Sequence, residues 1–588
     1  MTTSPTNSSI GETQPPVRAY ASHKPKWQRF QNRMTSASTS GAAGKNGTNK
    51  DNKENKKNGT STTKSASTSS VKSSENEIIP YQRQYSHVYS YRLSALKDKC
   101  WNQLKKLPNN IEGNGKATDM NTTSSKNVDR ILELQENRLS NVVGTLIVER
   151  LNSNSDDNYY QDGAAGEDRQ LHPESICRSG DQLFLEDESG RVAIRFVDTA
   201  NGDDDDDDDG EHSSPSYVYQ YCTGTVVGVR GLVDEKGMMH VQYIVNPALV
   251  APPAVCSENG NDNKNALSGS EPSNLAPHLL LVSSLLCGDP DVSSLPREML
   301  VSYLQGHFDP NSAARVARIV VAGSGPGAVE PTMGLRELDL WGLQVTRTAS
   351  IPLDILPSAT DPTSRNWPQR PFHSSLLPHT LRDTTGSAAS MAHMTPNPYE
   401  AMHGNQLVLG TDGLNVRDLQ KHILKPQPRS SDDDSDGQKK EDDEDDNNNS
   451  TSSSPQLLTE LEALEQTLRW SHICPTGPSS SSLGMVPSGD PMVLNRATPN
   501  LYFCGNCEEG FATKLLTYDD DDAVTTGSDG DDASENEKPK TRLVCIPKFS
   551  ETGEAVLVNL QTLDVEVLRF KTNENDNNDV NDDDERKK

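Results

Sequence analysis

A chain of 588 residues has room for several domains, yet only 32% of it is hydrophobic and 5% aromatic, so ordered cores must be diluted by long polar segments. A formal net charge of −29 disfavours direct, salt-dependent binding of nucleic-acid phosphates over most of the surface. Nine cysteines without framework spacing suit a reducing compartment. With no apolar leader and no run of about eighteen apolar residues, the chain reads as soluble, intracellular and without membrane contact.

Residues 1–77 are rich in Ser, Thr and Asn and read as a disordered tail. Lys24, Lys26, Arg29 and Arg33, then Lys50, Lys53, Lys56 and Lys57, fit a nuclear-import signal or a solvated tail equally well. A helix is expected within 78–108. Tyr85, Tyr89, Leu93, Leu96, Cys100 and Leu104 recur on one face, and Pro108-Asn109-Asn110 stops it. From 129 to 255 short strands alternate with turns: Val142–Val148, Asp181–Glu186, Arg191–Phe196, Thr223–Val229 and Met238–Val245. Five short strands without a long helix predict a small closed barrel of the OB type. The run Asp203–Asp209 in one of its loops reads as a solvated insertion. It also argues against a strand-gripping barrel, which needs a basic groove and stacking aromatics.

A polar linker, 257–273, precedes a second domain spanning 275–570. Its apolar runs are His278–Ser283, Ala317–Ala322, Ile351–Pro357, Leu407–Thr411, Asn500–Cys504, Leu543–Ile546, Ala555–Leu560 and Val565–Phe570. Leu338–Val345 is read as joining the second and third of them, and such short buried runs suit the strands of a layered α/β sandwich. The aromatic strand is expected to break at Gly505-Asn506. Before it, Ser454 is placed as the cap of a helix with Pro455 in its first position and Leu457, Leu461, Leu464 and Leu468 on one face. Acidic insertions (430–453 and 519–540) and a charged tail (571–588) are read as disordered. The fold class is therefore α+β.

Several blocks in register resemble the B-subunit family of DNA polymerase delta. They include Arg83-Gln84-Tyr85-Ser86-His87-Val88-Tyr89 in the first helix and Val142-Val143-Gly144-Thr145-Leu146 and Thr223-Gly224-Thr225-Val226-Val227 in the barrel. Further on come Ile351–Pro357, Asp361-Pro362-Thr363, Asn397-Pro398-Tyr399-Glu400-Ala401, Leu409–Gly413 and Asn415–Asp418. Thr467-Leu468-Arg469, His472–Pro478, Asp490-Pro491 and Tyr502–Asn506 complete the series, and Ser358 departs from the family by replacing a glycine. The resemblance implies an OB-fold barrel plus a calcineurin-like phosphoesterase α/β sandwich, with the N-terminal helix packed on the latter. It implies a nuclear, non-catalytic scaffold. The partners would be the catalytic subunit of DNA polymerase delta, through that subunit's C-terminal cysteine-rich module, and a third accessory subunit through the barrel, with DNA reached mainly indirectly. The equivalent accessory subunits of polymerase alpha or epsilon, an active metallophosphoesterase or 3′ exonuclease, and a single-strand binder are the rival readings.

A working phosphoesterase of that type holds two metal ions on Asp, Asn and His side chains at strand ends. Aligned with that pattern, Ser283 and Leu285 stand where an aspartate and a histidine belong, and Ser324 replaces the next aspartate. Ala359 and Thr360 leave Asp361 as the sole acid of the third loop. Asp412 replaces a histidine, and Asn506 and Glu508 close the last loop without one. No catalytic residue, metal or cofactor is expected. Gly323–Gly327 lacks the lysine of a phosphate loop and reads as a turn. Cys504-Gly505-Asn506-Cys507 is the single C-x-x-C; a zinc site wants a second pair, and none is present, so both are read as ordinary thiols.

Overall fold

The computed structural model describes residues 86–108, 125–150, 170–196 except 179, 216–252, 276–381, 391–425, 455–518 except 481–483 and 485–488, and 539–571, with a two-residue strand at Lys26–Trp27. The aspartate run, the insertion at 430–453, nearly all of 519–540 and all but the first residue of the terminal tail lie outside these residues, as do Ile78–Tyr85 and Ser454.

Helix α1 (Ser86–Leu104) opens the described chain, and five strands follow: β1 (Ser140–Glu149), β2 (Gln182–Glu186), β3 (Arg191–Phe196), β4 (Val226–Val233) and β5 (Met238–Val245). The strand order is β1-β2-β3-β5-β4, and an antiparallel β1–β4 ladder closes the barrel. Alternation decides its inside. Leu183 and Leu185 of β2, and Val192 and Ile194 of β3, point into one apolar cluster with Val142, Val229 and Met239. Strands β3 and β5 pair in parallel, and the other ladders among these five strands are antiparallel.

The rest of the chain builds two facing sheets with helices outside them. In one, β6 (His278–Val282), β7 (Val316–Ala322), β8 (Leu353–Leu356) and β9 (Ala392–Met394) run parallel, with β15 (Glu554–Asn559) and β16 (Val565–Arg569) added antiparallel at the β6 edge. The other has the order β10 (Tyr399–His403), β11 (Gln406–Thr411), β12 (Leu501–Cys507), β14 (Lys540–Pro547), β13 (Ala512–Thr517). Strands β11, β12 and β14 are parallel. Successive residues of one strand feed different layers, which is why these runs are apolar throughout. Leu279 and Leu281 meet Val408, Leu501 and Phe503 between the sheets. Leu280 and Val282 pack outward, in one cluster with residues of α2 (Leu295–Leu304) and α3 (Pro331–Leu343). Tyr502, Cys504 and Leu543 pack outward under α4 (Leu414–His422) and α5 (Glu460–Arg469).

Two expectations change. Helix α5 begins at Glu460, because Thr459 and Glu462 form a reciprocal capping box, while Leu457 pairs with Leu424 in a β-bridge. Strand β12 runs through Gly505-Asn506 to Cys507, with only a register shift there. The segment Leu338–Val345 does join the second and third of the apolar runs, as the end of α3 and the π turn after it, Gln344–Thr348. The apolar face of α1 (Leu93, Leu96, Cys100, Leu104) lies on Val143 and Val226 of the barrel together with Val493 of the later domain, so the helix is wedged between the two.

Arg92 fixes that wedge. Fully buried, its guanidinium pairs with Asp490 at 2.7 Å and donates to the carbonyls of Gly224 (2.8 Å), Pro475 (2.8 Å) and Gly477 (2.6 Å). His472 Nδ1 accepts the Cys474 amide at 3.1 Å, which leaves Nε2 to donate to Asp490 at 2.8 Å. Burial and the Arg92 charge lower the His472 pKa, so the ring is neutral at pH 7. Burial alone would raise the Asp490 carboxyl; the His472 contact and the Arg92 charge outweigh it and hold the acid well below the usual carboxylate range.

Candidate functional site

The C-terminal ends of the parallel strands converge on one edge of the sandwich, where open α/β sheets place ligands. Ser284 follows β6, Ser324 follows β7, Ser358, Ala359 and Thr360 follow β8, Asp412 follows β11, Asn506 and Glu508 lie at the end of β12, and Lys548 follows β14. Together with Arg417 of α4 they line one cleft of ≈ 190 Å³. That is less than the roughly 300–1,000 Å³ of small-molecule pockets. The cleft suits water or an ion rather than a nucleotide.

The backbone here is unusual in a consistent way. Ser284 (φ 53°), Ser324 (φ 52°) and Asn506 (φ 54°) are left-handed, as are Gly323 (φ 87°) and Gly413 (φ 85°). Left-handed non-glycine residues cost on the order of 1–3 kcal/mol each and persist only where the surroundings hold them. The loops are held by close approach: a Cβ on Gly413 would stand 2.1 Å from the Gly505 carbonyl oxygen, and one on Gly505 2.2 Å from that of Ala322. Ser358 is not left-handed, so the replacement of glycine there introduces no such strain.

Of the residues singled out by their strand-end positions, Ser324, Ala359, Thr360, Asp412, Asn506 and Glu508 all reach the cleft. Three do not line it. Ser283 lies beneath, its hydroxyl donating to Pro547 O at 3.0 Å and accepting the Asn506 amide at 2.9 Å. Leu285 is buried in the layer under α2. Asp361 turns inward and accepts the amides of Ser358 (2.6 Å) and Ser324 (3.2 Å).

Hydroxyls satisfy one another around the rim: Ser324 to Ser358 at 3.1 Å, Ser358 to Thr360 at 3.1 Å, and Ser284 to Ser550 at 3.3 Å. Burial pushes the Asp361 carboxyl up to about 7. Burial also raises Asp412, against the opposing Arg417 charge and the Asn397 amide, which donates to Asp412 Oδ1 at 2.9 Å. Asp412 Oδ2 and Asn506 Oδ1 are buried without a protein donor. Two cations complete the lining. Arg417 donates to the Asn506 carbonyl at 2.8 Å, and Lys548 pairs with Glu508 at 3.2 Å.

Reasoning from lost ligands missed both cations. Arg417 was within reach of the sequence, four residues after Gly413 at the start of a helix that leaves a strand end. A third cysteine was missed as well. In the parallel β12–β14 register Cys504 stands opposite Cys545, so the sulfurs of Cys504, Cys507 and Cys545 come together under α5.

The family model for the DNA polymerase alpha/epsilon B subunit matches residues 332–513, and that for the DNA polymerase delta subunit OB-fold domain matches residues 84–244. The chain is 26% identical to the DNA polymerase delta small subunit of Oryza sativa subsp. japonica, covering 83% of this chain and 94% of that protein. Identity with DNA polymerase delta subunit 2 of Drosophila melanogaster is 27%, with 83% and 94% covered. For the DNA polymerase delta small subunit of Saccharomyces cerevisiae it is 25%, with 83% and 90% covered.

Proposed function

The chain belongs to the family of DNA polymerase delta small subunits, and from that premise we propose that this accessory subunit works purely as a scaffold, with a calcineurin-like phosphoesterase sandwich that no longer catalyses. The lining of the cleft carries this reading. A two-metal centre needs imidazole and carboxylate ligands converging on ions about 3.5–4 Å apart. Here the strand ends carry hydroxyls already bonded to one another, no histidine among the described residues lines the cleft, and Arg417 and Lys548 place positive charge where cations would sit. Those residues do not fit a pair of divalent ions.

In this reading the left-handed strand ends are inherited scaffold geometry, and binding surfaces do the work. The subunit joins the C-terminal cysteine-rich module of the catalytic subunit to a third accessory subunit, the latter held by the barrel, with DNA contacted mainly through its partners in the nucleus. The net charge of −29 supports an indirect route to DNA. The alpha/epsilon wording of one family model is outweighed by the delta-specific barrel match and by relatives aligned over most of their length.

Mixing the full chain with a C-terminal fragment of a delta catalytic subunit is expected to give a stable complex, and absence of a complex at micromolar concentration overturns the scaffold. Incubation with Mn²⁺ and a phosphodiester is expected to give no turnover. Hydrolysis that a chelator abolishes, and that co-purifies with the chain, overturns the inert cleft.

A further inference from the structure

On the outer face of the β12 sheet, away from the strand-end cleft, three thiols form a compact cluster. Cys504 Sγ lies 3.4 Å from Cys507 Sγ and 3.7 Å from Cys545 Sγ, and all three sulfurs lie within 4.8 Å of one another. Each cysteine is buried. The first two sit on either side of the register shift in β12, and the third comes from the neighbouring parallel strand β14. The Glu460 carboxylate sits beside them at the start of α5, accepting the amides of Glu508 (3.1 Å) and Glu509 (3.2 Å) directly after Cys507.

We propose that Cys504, Cys507 and Cys545 form a structural binding site for one thiophilic d¹⁰ cation, Zn²⁺ foremost. Tetrahedral zinc with Zn–S bonds of about 2.3 Å spaces its sulfurs about 3.8 Å apart. The spacing found is close to that without any rearrangement. Thiolate sulfur selects zinc or cuprous copper over hard cations such as Mg²⁺. A disulfide explains the cluster less well: bonding two sulfurs needs a separation of about 2.05 Å and leaves the third thiol idle. Two strands and the start of a helix meet at this point, so a metal held by the three thiolates ties β12 to β14 beneath α5. Binding displaces the proton of each thiol to solvent, so uptake weakens as pH falls.

The test uses the full chain without partners. As isolated under anaerobic, reducing conditions it is expected to carry one zinc per chain. Replacement by Co²⁺ is expected to give thiolate-to-cobalt charge-transfer absorption with intense tetrahedral d–d bands. Cys507→Ser and Cys545→Ser are each expected to weaken Co²⁺ or Zn²⁺ binding by more than about 100-fold, beyond the range for losing an outer-shell partner. Cys100→Ser, in the helix wedge, is expected to leave the spectrum unchanged. The wild-type spectrum decides the matter even if a cysteine variant fails to fold. No retained zinc and no charge-transfer band from a fully reduced chain overturns the proposal, as does a Cys504–Cys507 disulfide in chain isolated without air.

Discussion

Replacing Arg92 by methionine tests the account of the wedge most directly. Methionine keeps an unbranched apolar stem but ends short of the guanidinium, so the change removes the charge and its donors while leaving the packing of the stem. Asp490, whose side chain is as fully buried as that of Arg92, then has no cationic partner, and three carbonyls lose a charged donor. Breaking a buried ion pair from one side costs about 3–5 kcal/mol, a large share of a domain's total of about 5–15. A multidomain chain has no single unfolding free energy, so the readout is hydrogen exchange at the slowest amides of α1. Their protection is expected to fall by roughly 100- to 5,000-fold, the same cost expressed at about 1.4 kcal/mol per tenfold. Adding Asp490→Asn is expected to recover part of the loss, because the orphaned charge is what costs most. Protection of α1 in Arg92→Met within about threefold of wild type would refute the reasoning. The pH dependence follows from the depressed Asp490 pKa. The contribution is complete above the unfolded value near 3.9 and fades as pH falls below it toward the lower folded value.

Gly410→Ala sets a Cβ about 2.0 Å from the buried Phe503 ring, and a loss of about 1–3 kcal/mol is expected as a lowered melting temperature. Thr459→Ala removes the α5 cap and is expected to cost about 0.5–2 kcal/mol, seen as faster exchange in the first turn of that helix alone. Asp361, raised to about 7 by burial, holds its proton more tightly folded than unfolded. Stability is therefore expected to fall as pH rises from about 4 to about 7 and then level off, and Asp361→Asn is expected to flatten that slope in thermal melts across the range.

What could be read from the residues follows from how each element is buried. Runs such as Leu279–Val282 and Ile319–Ala322 were legible because both sheet faces are covered and every position is apolar. Strand β13 was not, since Lys514 and Leu515 are exposed on an edge and break the pattern. Pro455 attracted the helix start because proline favours a first helical position, but the Thr459-to-Glu462 spacing satisfies two backbone amides and wins. Six of the nine strand-end positions reach the cleft, because strand order alone carries them there. Arg417 and Lys548 were overlooked because absent ligands, not gained cations, were being sought. Cys545 could not be joined to Cys504 without the β12–β14 register, a long-range property that no local spacing encodes.

The position of Arg92 also sets an order of events during synthesis. Its helix leaves the ribosome early, but Gly224 follows 132 residues later and Asp490 398 residues later. At about 5–20 residues per second, the guanidinium waits roughly 20–80 s for its carboxylate. For most of that interval the nineteen-residue helix has only the barrel, complete at Val245, to pack on, and the later domain that supplies Val493 and Asp490 is still missing. The helix is thus held on one side only until late in synthesis, and a nascent chain halted between Val245 and Asp490 leaves its guanidinium without its carboxylate.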